Sequence, residues 1–338
     1  MEHVKKKIGF IVPYEKHKGL GHIIRCLRIV EEIQTNYEYF FFLKKNFPIN
    51  LKLLTKKKIN IVKIKNTKNT LKNILQVITK EKIETLIIDD YDINFEKQKK
   101  LKFFIKKLII IDDLVNRRVY CDYYINYKFD QKDIIKKNLI KNGSKFKKII
   151  LGEKFWFASK NLIKKKIKNN KKIVSISFGN SFDFNKIKIQ LSHLLKCCKD
   201  LKFQIFLGHF CTNYEYLKKI ANRSDNIRLI TNKVFIEKIL SNSDIFLGTA
   251  GNSIYEMSYL NIPSIFFNIA PNQSNEIKSC EKLGHFFVVD INDLDKTNLA
   301  KLLIIISKNY LRIKKLFLRK KINLNKQGLS KTLKLCKL

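Results

Sequence analysis

The stretch "KGLGHIIRCLRIVEEI", Lys18 to Ile33, places Gly19, Gly21, His22 and Arg25 directly after the apolar run "IGFIVPY". A glycine-rich turn at such a junction can hold a dinucleotide, but that fingerprint needs G-x-G-x-x-G and an acidic residue closing the next strand. Here Ile24 stands where the third glycine belongs, and "YEYFFFL" is followed by Lys44 and Lys45. Both requirements fail, so neither NAD nor FAD is expected, and no cofactor is called for. What remains is G-x-G-H-x-x-R. The glycines let the backbone turn sharply and a ligand approach closely. His22 then falls in the first turn of a helix, where the positive end of the dipole disfavours imidazolium. A neutral ring is expected, able to take a proton from water. Arg25, three residues on, shares that helical face and can orient a phosphate or an acid. The plainer alternative is a polar helix start with no chemistry.

The second half of the chain carries two comparable turns. "GTAGNSIYE" follows the run "SDIFLG" and opens a helix at Gly251, Asn252 and Ser253. Small residues there leave N–H groups aimed outward, an anion site suited to a diphosphate. Glu256, one to two turns in, can accept both hydroxyls of a ribose. "FGNS", with Gly179, Asn180 and Ser181, forms a similar turn, and Asn272 and Gln273 add amides suited to sugar contacts. Each fits an ordinary loop as well; two such turns together are the stronger sign. Asp89, Asp90, Asp112 and Asp113, in "DDYD" and "IDDL", suggest Mg²⁺ by their chemistry. Strand-end Asp also caps the next turn, and no metal is expected.

These residues need elements to position them. "KIGFIV", "YEYFFFL", "INIVKI", "ETLIIDD" and "KLIIIDD" read as strands, separated by segments of helical period such as 70–80 and 94–107. Continuous apolar strands alternating with helices predict a parallel sheet covered on both faces. Apolar content falls around "FASKNLIKKKIKNNKK", and the alternation restarts with "KIVSISFGN", "KFQIFLG", "NIRLI", "SDIFLG", "PSIFF" and "HFFVVD". The expected organisation is a Rossmann-like domain over 1–157, a linker over 158–171, a second Rossmann-like domain over 172–300 and C-terminal helices over 301–338. The class is α/β, with the two domains facing one cleft. In open sheets of this kind ligands collect at the carboxyl ends of the strands, where every candidate above lies.

The bulk composition excludes some classes. The chain has 338 residues and a net charge of +40, which invites a nucleic-acid reading. Only eight of its 69 basic residues are Arg, the Lys are spread evenly, and no basic run interleaves with stacking aromatics. Arg forks carry much of phosphate and base recognition, so no nucleic-acid partner is expected. Diffuse Lys makes a solvated surface and leaves room for weak peripheral contact with anionic membrane. The seven cysteines form no C-x-x-C pair, which suits a reducing cytoplasm. "MEHVKKKIGFIV" lacks a small-residue cleavage site and reads as a first strand. The nearly uncharged stretch 245–275 contains Gly, Asn, Pro and Glu256 and cannot span a bilayer. A cytoplasmic protein without stable membrane insertion is expected.

Taken in order, "GLGHIIRCL", "IIDDYD", "IIIDDLVNR", "IILG", "SFGNS", "GTAGNSIYE" and "PNQ" resemble the UDP-2,4-diacetamido-2,4,6-trideoxy-β-L-altropyranose hydrolases of pseudaminic acid biosynthesis, relatives of spore-coat polysaccharide proteins and MurG-like glycosyltransferases. The similarity runs roughly over 7–290. It implies a glycosyltransferase-B fold with UDP held mainly by the C-terminal domain. It also implies metal-independent, inverting attack of water on the anomeric carbon, releasing UDP and free sugar. By position it implies that His22 is the base or its close helper, with Tyr91 near the sugar and Asn272 in the site. Glu256 would take the ribose and Gly251 to Ser253 the diphosphate, on closure of the cleft. The chain departs from the family in "FIVPYEKHK", which lacks an R-x-D pair, and in "EKFWFASK" after "IILG". A transferase of the same fold, acting in cell-surface polysaccharide synthesis, is the first alternative, and turnover without acceptor separates the two. A basic protein binding RNA or anionic lipid is the second; it predicts strongly salt-dependent binding.

Overall fold

The computed structural model describes residues 5–13, 20–33, 37–44, 58–64, 70–164, 172–179, 183–208, 211–231, 233, 235–269, 274–296 and 298–338. The chain divides into two compact units, Met1–Phe157 with Asn325–Leu338, and Ala158–Leu324. The segment read as C-terminal helices is thus divided between them.

The first unit runs β1 (Lys6–Ile11), α1 (Gly21–Ile33), β2 (Tyr37–Lys44), β3 (Ile59–Ile64), α2 (Thr70–Glu81), β4 (Thr85–Ile88), α3 (Phe95–Phe103), β5 (Lys107–Ile111), β6 (Tyr123–Asn126), α4 (Lys132–Lys141) and β7 (Lys148–Leu151). Its described strands form a parallel sheet in the order β3-β2-β1-β4-β5-β6-β7. β1 lies between β2 and β4, with Ile8 opposite both Tyr39 and Thr85. The near-continuous apolar strands are what two helix-covered faces demand: Phe10 and Phe41 are buried and stack at 4.7 Å. Full burial of one such ring contributes about 2–3 kcal/mol. Asn94 ends the loop after β4 and starts α3 by accepting the Lys97 N–H at 3.1 Å, the cap its residue type favours.

The second unit contains β8 (Ile173–Ser177), α5 (Lys188–Cys197), β9 (Lys202–Leu207), α6 (Tyr214–Ala221), β10 (Ile227–Thr231), α7 (Glu237–Leu240), β11 (Ile245–Thr249), α8 (Asn252–Leu260), β12 (Ser264–Asn268), α9 (Ser274–Glu281), β13 (Phe286–Asp290), α10 (Leu299–Lys308) and α11 (Tyr310–Lys315). Its parallel sheet has the order β10-β9-β8-β11-β12-β13. Gly248 sits where β11 pairs with β8; a Cβ there would lie 1.9 Å from the Ser177 carbonyl oxygen, so only glycine fits. The last helix, α12 (Gly328–Leu335), returns to the first unit, where a Cβ on Gly328 would meet the Trp156 carbonyl at 2.5 Å.

One buried base in the second unit makes stability depend on pH. His285 lies between the rings of Phe286 and Phe317, each 4.0 Å away centre to centre. Burial, helped by the charge of Lys314, pushes its pKa down to about 3 from 6.5. The unfolded chain therefore binds this proton first, and stability falls as pH drops from 6.5 toward 3. At pH 5 the loss is about 2 kcal/mol. Thermal unfolding at pH 7.5 and pH 5 should show a smaller Tm difference for His285→Leu than for the wild type. An identical difference removes His285 from the account.

Candidate functional site

In an open parallel sheet, a crevice forms where neighbouring strands send their chains in opposite directions. In the first unit that point lies between β1, which leads to β2, and β4, which leads to β5. The backbone joins the two strand ends directly: the Asp89 N–H donates to the Ile11 carbonyl at 2.9 Å. Here α1 begins, and Gly21 has open space where a Cβ would stand. Asp89 and Asp90 follow β4, and Asp112 and Asp113 follow β5.

His22 and Arg25 converge on Asp89. His22 Nδ1 lies 2.7 Å from Asp89 Oδ1 and 3.2 Å from Arg25 Nη2; the shorter contact is to an ionised carboxylate, which can only accept and so favours a proton on Nδ1. Arg25 grips the same carboxylate with both arms of its fork, Nε to Oδ2 at 2.7 Å and Nη2 to Oδ1 at 2.5 Å. Its Nη1 donates to Asp113 Oδ1 at 2.7 Å and to the Tyr127 hydroxyl at 3.1 Å. Tyr91 closes the circuit, donating to Asp113 Oδ2 at 3.0 Å while its ring meets the His22 ring edge to face at 5.4 Å. Asp89 is completely buried; His22 keeps 13 % of its side-chain exposure and Asp113 25 %. With Nδ1 engaged, Nε2 is the nitrogen left for a substrate or water.

The electrostatics work against one expectation. The helix dipole alone predicted a neutral ring, but Asp89 faces it. Burial pulls the His22 pKa down, and the charge and hydrogen bond of Asp89 more than offset it, so the ring holds its proton above pH 6.5. Burial also works against the ionised form of Asp89, yet Arg25 and His22 outweigh it and hold the carboxyl below its ordinary range. The same balance, led by Arg25, lowers Asp113. Burial and Asp113 push Tyr91 far up, so its hydroxyl stays a donor. Asp112 belongs to a different set: burial raises it to about 6 despite Arg117, whose Nη1 is 3.6 Å from Oδ2. Oδ1 of Asp112 accepts the Leu114 N–H at 2.9 Å, the turn-capping role expected of a strand-end Asp. Among the described residues, no group of three or more His, Cys, Asp or Glu is placed to hold a metal ion.

The second unit has its own switch point between β8 and β11, and Gly179 and Gly251 flank it. Gly179 has φ +83°, a left-handed conformation suited to glycine, and a Cβ there would come 4.0 Å from Thr249 Oγ1. Gly251 precedes α8 and has open space where a Cβ would stand. The first N–H groups of a helix have no intrahelical acceptor, and Ser253 stands in that first turn. The Ser253 hydroxyl itself turns back to the Thr249 carbonyl at 2.7 Å. Glu256 is only 6 % exposed, packed into the unit beside buried Tyr255 and Met257.

The structure therefore brings His22, Arg25 and Tyr91 together, and sets Gly21 beside them. Gly179, Gly251, Asn252 and Ser253 gather at the second switch point. Gly19, Asn180, Ser181, Asn272 and Gln273 lie outside the described residues. Sequence reasoning missed Tyr127 altogether and took Asp89 and Asp113 as caps. Their signal was the pair of Asp-Asp steps ending two apolar strands, which adjacent β4 and β5 place at one edge.

No protein-family model matches the chain. The uncharacterized protein MJ1062 of Methanocaldococcus jannaschii is 24% identical over 274 residues, covering 77% of this chain and 55% of that protein. The chain thus spans about half the length of the curated relative it matches. Among solved structures, MurG of Acinetobacter baumannii superposes with a TM-score of 0.69 at 11% identity, over 98% of this chain and 99% of that one. The UDP-GlcNAc 2-epimerase of Neisseria meningitidis, solved with UDP-GlcNAc, gives 0.61 at 14% identity, over 98% and 100%. HepE of Anabaena, solved with UDP-glucose, gives 0.59 at 13%, over 97% and 94%. The two parallel sheets and these likenesses establish the glycosyltransferase-B fold expected from the sequence. No described helix is long and apolar enough to cross a membrane.

Proposed function

We propose that the protein is a UDP-sugar hydrolase. It would cleave a UDP-activated diacetamido-trideoxy sugar at the anomeric carbon, releasing UDP and free sugar on a route to a pseudaminic-type acid. One observation carries this reading: His22 is held by a buried carboxylate at the switch point of its sheet, with Nδ1 engaged and Nε2 available as a base. Asp89 sets the tautomer and stabilises the imidazolium that forms, and Arg25 keeps Asp89 ionised. Support for the substrate class comes from the fold, since neighbours of this fold are solved with UDP-sugars bound.

In this reaction a water gives its proton to His22 Nε2 as its oxygen forms a bond to the anomeric carbon. The bond from that carbon to the UDP oxygen breaks, and UDP leaves with the electron pair. A single displacement inverts the anomeric centre and needs no covalent intermediate. On the second unit, the N–H groups at Gly251 to Ser253 would neutralise the diphosphate, and Gly179 would let the backbone turn close to it. Glu256 would accept from the ribose. Asn180, Ser181, Asn272 and Gln273 complete the proposed contacts, with Gly19 completing the first turn. Tyr91, whose hydroxyl is committed to Asp113, would bring its ring to the sugar and not a proton.

A transferase of the same fold is the second reading, favoured by the superposition on MurG. The test is a ¹H and ³¹P NMR time course with UDP-2,4-diacetamido-2,4,6-trideoxy-β-L-altropyranose, without acceptor and with excess EDTA. Wild-type protein should release UDP and free sugar, and His22→Ala should be slower by about 10²–10⁴-fold. UDP binding without turnover would transfer the assignment to the transferase; absence of UDP binding would overturn both.

A further inference from the structure

The last turn of α3 exposes two adjacent aromatic rings. Phe103 is 88 % exposed and Phe104 49 %, and their rings meet edge to face at 5.5 Å. The turn is not loose: Leu101 and Ile105 on either side are buried, and the Phe104 N–H donates to the Leu101 carbonyl at 3.1 Å. Ile140, in the last turn of α4, is 64 % exposed. The β4–β5 and β6–β7 crossovers run the same way along the sheet, so right-handed connections put α3 and α4 on one face. Leu101, Ile135 and Leu139 duly share one core cluster. Both helices end at the edge where the strands begin, opposite the edge that carries His22, Asp89 and Asp113.

That edge is cationic. Lys99 and Lys100 are exposed on the end of α3, and Lys106 and Lys107 open β5 as Lys147 and Lys148 open β7. The acids nearby are outnumbered: Glu84 pairs with Lys106, and Asp122 lies between Lys102 and Lys147. Adjacent apolar rings on a rigid turn, ringed by Lys, fit a surface that is apolar within and negative outside. A second copy of the same face would bring Lys against Lys. Nucleic-acid bases need open ring faces to stack on, and two Phe rings inclined at 73° to one another do not offer a stacked pair.

We propose that this edge of the first unit docks on an anionic lipid bilayer, with Phe103 and Phe104 entering the interface and the Lys ammonium groups over the headgroups. Rings at that depth gain by leaving water, and Lys near an anionic surface adds to the attraction. The opposite edge, with His22, then faces away from the lipid. This inference is independent of the reaction assigned above.

Co-sedimentation of the full chain with phosphatidylcholine vesicles, with and without phosphatidylglycerol, tests it. Binding should need phosphatidylglycerol and weaken as salt is raised. The double variant Phe103→Ser/Phe104→Ser, altered only at exposed rings and checked by circular dichroism, should bind about tenfold more weakly or worse. Wild-type protein that ignores anionic vesicles, or a folded double variant that binds as tightly as wild type, overturns the proposal. So does a dimer lost in the double variant, or RNA binding without vesicle binding.

Discussion

Asp89→Asn is expected to lower UDP-sugar turnover by about 10³–10⁴-fold, equivalent to roughly 4–5.5 kcal/mol of activation free energy, while leaving the chain folded. The size of the effect follows from what surrounds the carboxylate. Both oxygens of Asp89 face donors, Arg25 Nε on one side and Arg25 Nη2 with His22 Nδ1 on the other. An amide must turn its NH₂ toward one of these sets. Facing Arg25 Nε, it sets donor against donor in a buried site. Facing His22, it meets the Arg25 Nη2 donor as well and gains a partner only if Nδ1 becomes the acceptor, which moves the ring proton to Nε2 and abolishes the base. The variant also removes the negative charge that lifts the His22 pKa. In the wild type the reactive neutral ring therefore dominates only above a pKa that is itself above 6.5, and activity rises with pH through that value. In Asp89→Asn the residual activity should rise at lower pH. A kcat profile from pH 5 to 9 for both proteins checks the two effects separately. Full activity with an unshifted profile would remove Asp89, and the base assigned through it, from the mechanism.

Much of this arrangement is legible in the sequence, for definite physical reasons. β1, β2, β4 and β5 are apolar on both faces, so their runs stand out against Lys-rich surroundings. The single helical turn between His22 and Arg25 sets both on one face of α1. Short elements were not legible: "YYIN" and "KIIL" form β6 and β7, each four residues long, too brief to show a period. α3 ends at Phe103, short of the 94–107 reading, because the buried Ile105 belongs to the connection into β5. The partners of His22 were hidden for another reason. Asp89, Asp113 and Tyr127 lie 67, 91 and 105 residues beyond it, and only the order of β1, β4 and β5 makes them neighbours. An Asp after a strand looks the same in sequence whether it caps a turn, as Asp112 does, or receives an Arg fork, as Asp89 does. The ionisation of His22 depends on topology in the same way: the dipole that favours the neutral ring is local and readable, whereas the carboxylate that opposes it arrives from another strand.

The same cluster should carry a large share of the first unit's stability, and Arg25→Met is the variant that exposes it. Arg25 is buried, and its guanidinium meets Asp89 through both oxygens and Asp113 through one. Met matches much of the aliphatic stem but leaves both carboxylates without their cation. Breaking a buried pair from one side costs about 3–5 kcal/mol. In a unit of this size each kcal/mol lowers Tm by roughly 2–4 °C, so a fall of about 6–20 °C is expected at pH 7.5. The pH dependence gives the cause its signature. In the wild type both carboxyls are held below their ordinary pKa of 3.8. Their contribution is present above that value and is lost only as pH falls through the lower folded values. In Arg25→Met, burial is opposed only by His22 and, at Asp113, by Lys128; the folded pKa values of both carboxyls are expected to rise above 3.8, so that the unfolded state binds fewer protons than the folded one. The Tm deficit of the variant should therefore shrink between pH 7.5 and pH 5, as the buried carboxyls take up protons they cannot take up beside Arg25. A deficit that stays constant across that range would mean that lost packing around the Met side chain, and not uncompensated charge, sets the cost. Asp89 would then be ionised by His22 alone, and the imidazolium, not the guanidinium, would be the cation that organises the site.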